Sequence, residues 1–203
     1  MFHANVILTP GLAPSASGPL RDGDDVSWIE KCRAGDNQGQ TSACSCFAMA
    51  NFSEIMTGER ISDSDTVNAW KVERMRQSDN LDGGLTIPSA WHAANKARWT
   101  EPDQRIERVR DLTSLSEAPI IACYQTTKGW NHPNNSGCIR HSDTEATGHH
   151  AVLLVAHGKI LDSDDPMVWI ENSWGGDWGF KGLGCMTEEY HRRYCKELWI
   201  ITS

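Results

Sequence analysis

The sequence has no long apolar run, no basic tract and no internal repeat, and each absence closes off a class of function. No window approaches the 18 or more apolar residues of a membrane-spanning helix. Lysine and arginine never gather into a tail. The formal charge is -8 and the pI about 5.4, so nucleic acid and anionic membrane surfaces are poor candidate partners. The first 18 residues lack a leading basic cluster, and Val6-Ile7-Leu8 is too short for the core of a signal peptide. The expectation is a cytoplasmic protein by default, with export by another route left open. No segment is low in complexity.

What is present is the composition of a folded protein. The 203 residues suffice for one medium domain or two small lobes, and 39% are apolar. Nine tryptophans are many for this length, and most should fill cores. Seven cysteines stand at positions 32, 44, 46, 123, 138, 185 and 195. Without a signal peptide the default is reduced thiols, and the odd count fits one thiol reserved for chemistry.

The chain changes texture along its length. Residues 1–36 read as an irregular arm with a short strand or turn near Val26-Ser27-Trp28-Ile29. From Cys44 the pattern becomes helical through Phe47, Ala50, Ile55 and Met56, and Thr57-Gly58 ends it. Asp63 or Ser64 could cap a second helix, and Pro88 suits the first turn of a third. After Pro119, four runs read as strands: residues 120–124, 151–155, 167–170 and 198–201. Asp162 to Pro166 reads as a hairpin turn. The expectation is an α+β protein of two lobes, a helical one over 37–118 and a β-rich one over 119–203.

Three fragments carry the chemistry: Gln38-Gly39-Gln40-Thr41-Ser42-Ala43-Cys44, His150-Ala151-Val152 and Asn172-Ser173-Trp174-Gly175. In this order they supply an oxyanion donor, a thiol nucleophile, a base and a residue that orients the base. A thiol at a helix start sits near the positive end of the dipole, and a nearby imidazole lowers its pKa further. Cys46 is the rival nucleophile, since Gln40 lies six residues before it as Gln38 does before Cys44. Glycine at position 39 makes Gln38 the better donor platform. Two residues turn a helical side chain by roughly 200°, so the two thiols cannot serve one site. His149 is the rival base and would face the other side of its strand. Cys44-x-Cys46 lacks the paired spacing of ordinary zinc sites. Asp162, Asp164 and Asp165 resemble part of a calcium loop but lack its closing glutamate. No metal or cofactor is implied.

These motifs resemble the papain-like cysteine peptidases, the C1 group, in the bacterial or phage-type variant. Gln38-Gly39 followed by Cys44 is similar to that family's opening motif, and Cys44-Ser45-Cys46-Phe47-Ala48 to the variant form. Asp82-Gly83-Gly84 resembles its cleft-lining segment. His150-Ala151-Val152 and Asn172-Ser173-Trp174-Gly175 with Trp178-Gly179 resemble its last two signatures. The chain departs from the family at Thr41, Ser42 and Ser45, where a cysteine, a glycine and a tryptophan are usual. The interval from Cys44 to His150 is shorter than usual.

The resemblance implies a papain-like two-lobe fold with the active site in the cleft between lobes. It implies a cysteine endopeptidase with Cys44, His150, Asn172 and Gln38 as catalytic residues, and a peptide or protein substrate held near Gly83, Gly84 and Trp174. Trp174 would shield the His150–Asn172 bond from water. By analogy, Cys138 and Cys195 would form a right-lobe disulfide. An amidase, transpeptidase or deamidating effector on the same fold, and an inactive peptide-binding homologue, are the alternative readings. Met1 to Asn37 is expected to lie across the lobes as an arm rather than to block the cleft.

Overall fold

A computed structural model describes residues 26–33, 35–134, 137–139, 145–160 and 163–203. Helix α1 spans Cys44–Thr57 and is buried continuously from Cys44 to Ile55. A helix apolar on every side belongs in a core rather than on a surface. Gly58, at φ 76°, ends it in the left-handed conformation that suits a glycine.

Helix α2 spans Asp63–Ser78, and its cap is Ser62, one residue ahead of the expected Asp63. Ser62 has extended backbone and its Oγ accepts from the Asp65 N–H at 3.1 Å, whereas Asp63 is already inside the first turn. Helix α3, Ile87–Lys96, is capped by Thr86 and carries Pro88 in its first turn. Among the described residues no helix is long and apolar enough to cross a membrane.

Seven strands form one sheet: β1 (Val26–Ser27), β2 (Arg105–Val109), β3 (Ile120–Thr127), β4 (Ala146–Ile160), β5 (Ser163–Glu171), β6 (Leu183–Thr187) and β7 (Cys195–Thr202). The order is β2-β7-β3-β4-β5-β6, with β1 added to β4, and every pairing is antiparallel. The four expected strand runs all lie in it. The expected turn does not extend to Pro166, because β5 begins at Ser163 and Pro166 pairs with Lys159. Asp162 lies outside the described residues. A short helix α4, Glu188–Tyr194, joins β6 to β7.

The period of two along the strands splits the core between the two faces of the sheet. Ile121, Cys123, Ala151, Leu153 and Val155 pack with α1 and α3 on one face. Ala122, Tyr124, Val152, Leu154, Val168 and Ile170 face the other way, onto Trp130, Trp174, Trp178, Met186 and Tyr190. Trp28 packs against both groups and donates from Nε1 to the Leu115 carbonyl at 2.9 Å. Of the expected arm, residues 26–33 and 35–36 are described: Val26 and Ser27 pair with β4, and Met1 to Asp25 lie outside the described residues.

The disulfide joins Cys138 to Cys185, not to Cys195. Residues 137–139 run beside β6, with the Ile139 N–H on the Cys185 carbonyl at 2.7 Å and the Cys185 N–H on the Gly137 carbonyl at 2.9 Å. Cys195 is a buried free thiol that opens β7 opposite Tyr124. Strand pairing thus places it in the sheet, away from the loop that holds Cys138. The expectation that all thiols are reduced fails at this one pair.

Candidate active site

Cys44 is the first residue of α1, so its side chain sits where the helix leaves backbone N–H groups unpaired. Its sulfur lies against the backbone N–H groups of Ala151, Ser45 and Cys44 itself. Ala151 follows His150 on β4. That contact brings the first turn of α1 to the strand carrying the candidate base. The Cys46 thiol is raised first by burial, then by the neighbouring Cys44 and by Glu73 on α2.

His150 is fully buried on β4. Its Nε2 donates to Asn172 Oδ1 at 2.6 Å, which leaves Nδ1 as the unprotonated nitrogen. Nδ1 has no partner among the described residues. Asn172 directly follows β5, and its Oδ1 also accepts from the Ser173 N–H at 2.8 Å. The Trp174 ring stacks on His150 at 4.6 Å between centroids, and Trp130 meets it edge-on at 5.8 Å. Trp130 is locked in turn: its Nε1 donates to the Tyr190 hydroxyl at 3.1 Å, and its carbonyl accepts from Trp178 Nε1 at 2.7 Å.

Gln38 reaches the same group from the other side. Its backbone N–H donates to the Ser173 carbonyl at 2.9 Å, and its Oε1 accepts from Ser173 Oγ at 2.8 Å. Its Nε2 donates to the Thr41 carbonyl at 2.7 Å. A primary amide has two N–H groups, so one remains for another acceptor. Gly39, at φ 58°, makes the turn between Gln38 and α1.

Burial decides the protonation state. It pushes the Cys44 thiol up to about 11, against the three backbone N–H groups, and lowers His150 to about 4, against the bond to Asn172. Both groups are fully buried, and burial works against the expected thiolate and imidazolium.

The structure joins Gln38, His150, Asn172 and Trp174 through hydrogen bonds and ring contacts, and brings Cys44 to the neighbouring backbone. Gly83 and Gly84 lie between α2 and α3. Gly83 has φ 84° with open space where a side chain would project, and Gly84 is buried. No described contact ties either glycine to Cys44 or His150. Ser173 and Trp130 were not singled out from the sequence. Ser173 sat inside a quoted motif, and Trp130 was one indole among nine.

Two openings flank this group. A groove of about 620 Å³ starts at Trp174 and is lined by Asn131, His132, Asp177 and Trp178. A larger cavity of about 910 Å³ lies between the end of α1, α2 and α3, and none of the seven expected site residues lines it. Of the expected site residues, Trp174 alone lines the smaller groove. Among the described residues no group of three His, Cys, Asp or Glu is arranged to hold a metal.

Helices against one face of an antiparallel sheet, with Cys44 opening α1 beside the strand that carries His150, make this the papain-like fold, α+β in class. Xylellain, a cysteine protease from Xylella fastidiosa, superposes with a TM-score of 0.69 at 17% identity, over 100% of this chain and 97% of that one. Procathepsin B S9 from Trypanosoma congolense gives 0.66 at 14% identity, over 97% and 85%. The Peptidase C1-like family matches residues 128–202, the stretch that carries His150, Asn172 and Trp174. Cathepsin B-like cysteine proteinase 2 of Haemonchus contortus is 35% identical over 69 residues, 34% of this chain and 19% of that protein. Cathepsin B-like cysteine proteinase 3 of Ostertagia ostertagi is 34% identical over 74 residues, 36% and 40% respectively. The matches thus span less than half of these curated relatives.

Proposed function

We propose that the chain is a cysteine endopeptidase that hydrolyses peptide bonds through a thioester on Cys44. The observation that carries this reading is the hydrogen-bonded series His150–Asn172–Ser173–Gln38, which ends at the turn into α1. Asn172 holds His150 by Nε2 and so turns Nδ1 toward proton exchange with a thiol. Entry of substrate and water would relieve the burial that keeps both groups neutral. The Cys44 proton then passes to Nδ1, and the thiolate attacks the carbonyl carbon. The oxyanion takes hydrogen bonds from the Cys44 backbone N–H and the free Nε2 hydrogen of Gln38. The imidazolium protonates the leaving amine as the C–N bond breaks. A water, deprotonated by His150, cleaves the thioester.

Trp174 stacks over His150 and borders the groove, which suits it to shield the His150–Asn172 bond and to meet the substrate. Gly83 suits close approach of an extended substrate backbone, because no side chain stands in the way, and the buried Gly84 would support it from behind. The Cys138–Cys185 disulfide favours an oxidising compartment over the cytoplasm. A thiol-directed epoxide applied to the native protein at neutral pH, with the adduct mapped by mass spectrometry, tests the reading. Labelling at Cys44, lost in Cys44→Ala together with hydrolysis of fluorescein-labelled casein, is the expected result. Labelling at Cys46 reverses the assignment, and labelling at neither overturns the enzyme.

A further inference from the structure

The segment 35–39 that carries Gln38 is clamped on two sides. Toward the sheet, the Gln38 N–H bonds the Ser173 carbonyl and the Gly175 N–H bonds the Asp36 carbonyl at 2.9 Å each. Toward the helices, the Asn37 N–H donates to Asp63 Oδ2 at 3.1 Å. The Asn51 amide, with its NH2 turned to Asp36, donates to Asp36 Oδ2 at 2.9 Å and to the Phe47 carbonyl at 3.0 Å. Two carboxyls, Asp36 and Asp63, thus fasten this segment to α1 and α2, and they lie in hydrogen-bond contact with each other.

Two ionised carboxylates only accept hydrogen bonds, so this contact needs a proton. Asp63 Oδ1 is buried and has no donor among the described residues. A proton on Asp36 supplies it. The proton belongs on Asp36, whose burial and neighbouring carboxylates favour its protonated form. The surroundings agree. Asp36 is buried and faces Glu54 from α1 and Asp63 from α2, against Arg60 from the connecting loop, with Arg33 placed 3.9 Å from Glu54. Burial first, then the two carboxylates, raises Asp36 to about 6.

We propose that Asp36 and Asp63 share one proton in a clasp that positions the Gln38 segment, so that hydrolysis is sustained at mildly acidic pH and declines when the clasp loses its proton. This rests on the peptidase reading for its effect on rate, but not for its existence. Ionisation of both groups sets like charges in contact beside Glu54, and the segment carrying the oxyanion donor loosens. Asp36 is a positioning residue and touches no reacting atom. An asparagine at this position can accept from Asn51 and donate to Asp63 without titrating.

Three proteins test the clasp: wild type, Asp36→Asn and Asp36→Ala. Fluorescein-casein hydrolysis by the wild type should show a falling limb near pH 6 that Asp36→Asn lacks. Asp36→Ala should lower kcat by ~10-fold with KM little changed, the cost of a misplaced catalytic group. Independently of activity, calorimetry should show the Tm of the wild type declining relative to Asp36→Asn as pH rises from 4.5 to 7.5. A limb that persists in Asp36→Asn, or a Tm difference that ignores pH, overturns the clasp. Failure of the epoxide to label Cys44 overturns the peptidase reading instead, and the Tm comparison then still decides whether the proton is shared.

Discussion

Gln38 bridges the loop before α1 and the loop after β5, and its two amide ends do different work. Oε1 is spent on Ser173, which ties it to the loop that orients His150. Nε2 uses one hydrogen on Thr41 and keeps the other. Gln38→Ala removes the proposed oxyanion donor and should lower kcat by ~10²–10³-fold. Epoxide labelling of Cys44 should continue, because the thiol and imidazole are untouched; loss of labelling would show that Gln38 holds the site together rather than serving the oxyanion. The grouping of Gln38, His150 and Asn172, which Ser173 links by hydrogen bonds, was legible in the sequence because each proposed role admits few residue types and the order of motifs ties them together. Trp130 was not legible, since its value depends on a segment twenty residues before His150 folding back over the ring. The partner of Cys138 was misplaced for a similar reason. Cys185 and Cys195 look alike in sequence, and only strand pairing puts Cys185 on the edge strand β6 beside the loop and Cys195 on β7, between β2 and β3.

Helix ends show the same division between local and distant signals. α1 and its Gly58 stop were readable because apolar residues at helical spacing followed by glycine leave few alternatives. The α2 start offered three adjacent polar residues, and the backbone of Ser62 rather than composition decides which one caps. Ser62→Ala should cost about 1 kcal/mol and lower Tm by about 2–4 °C in a chain of this size, while Cys44 labelling stays at the wild-type rate. An unchanged Tm in calorimetry would move the cap to Ser64. β6 and α4 were not foreseen. Leu183-Gly184-Cys185-Met186-Thr187 has no alternation to read, and α4 is a seven-residue helix of mostly charged residues. A helix that short is not stable alone; it persists because Tyr190, His191 and Tyr194 are buried against the sheet.

The whole molecule places polar groups on both sides of its sheet, and their protonation couples the fold to pH. Burial lowers the pKa of His149, His150 and His191, the last two to about 4 and about 3. The folded chain therefore binds fewer of these protons than the unfolded chain below about pH 6.5. Their contribution to stability is complete above that value and is lost as pH falls toward the folded values. Asp36 and Glu54 oppose them, since burial raises both carboxyls. Their contribution is present at low pH and is given up as pH rises, for Asp36 through about 6. Three histidines against two carboxyls leave the unfolded chain ahead in protons bound. The Tm should therefore fall as pH is lowered from 6.5 to 4.5, and fall more steeply in Asp36→Asn, which keeps the histidines but not the compensating carboxyl. A Tm that rises over this interval in the wild type would mean that the carboxyls dominate. The chain would then be most stable in mild acid, where the singly protonated clasp holds the Gln38 segment.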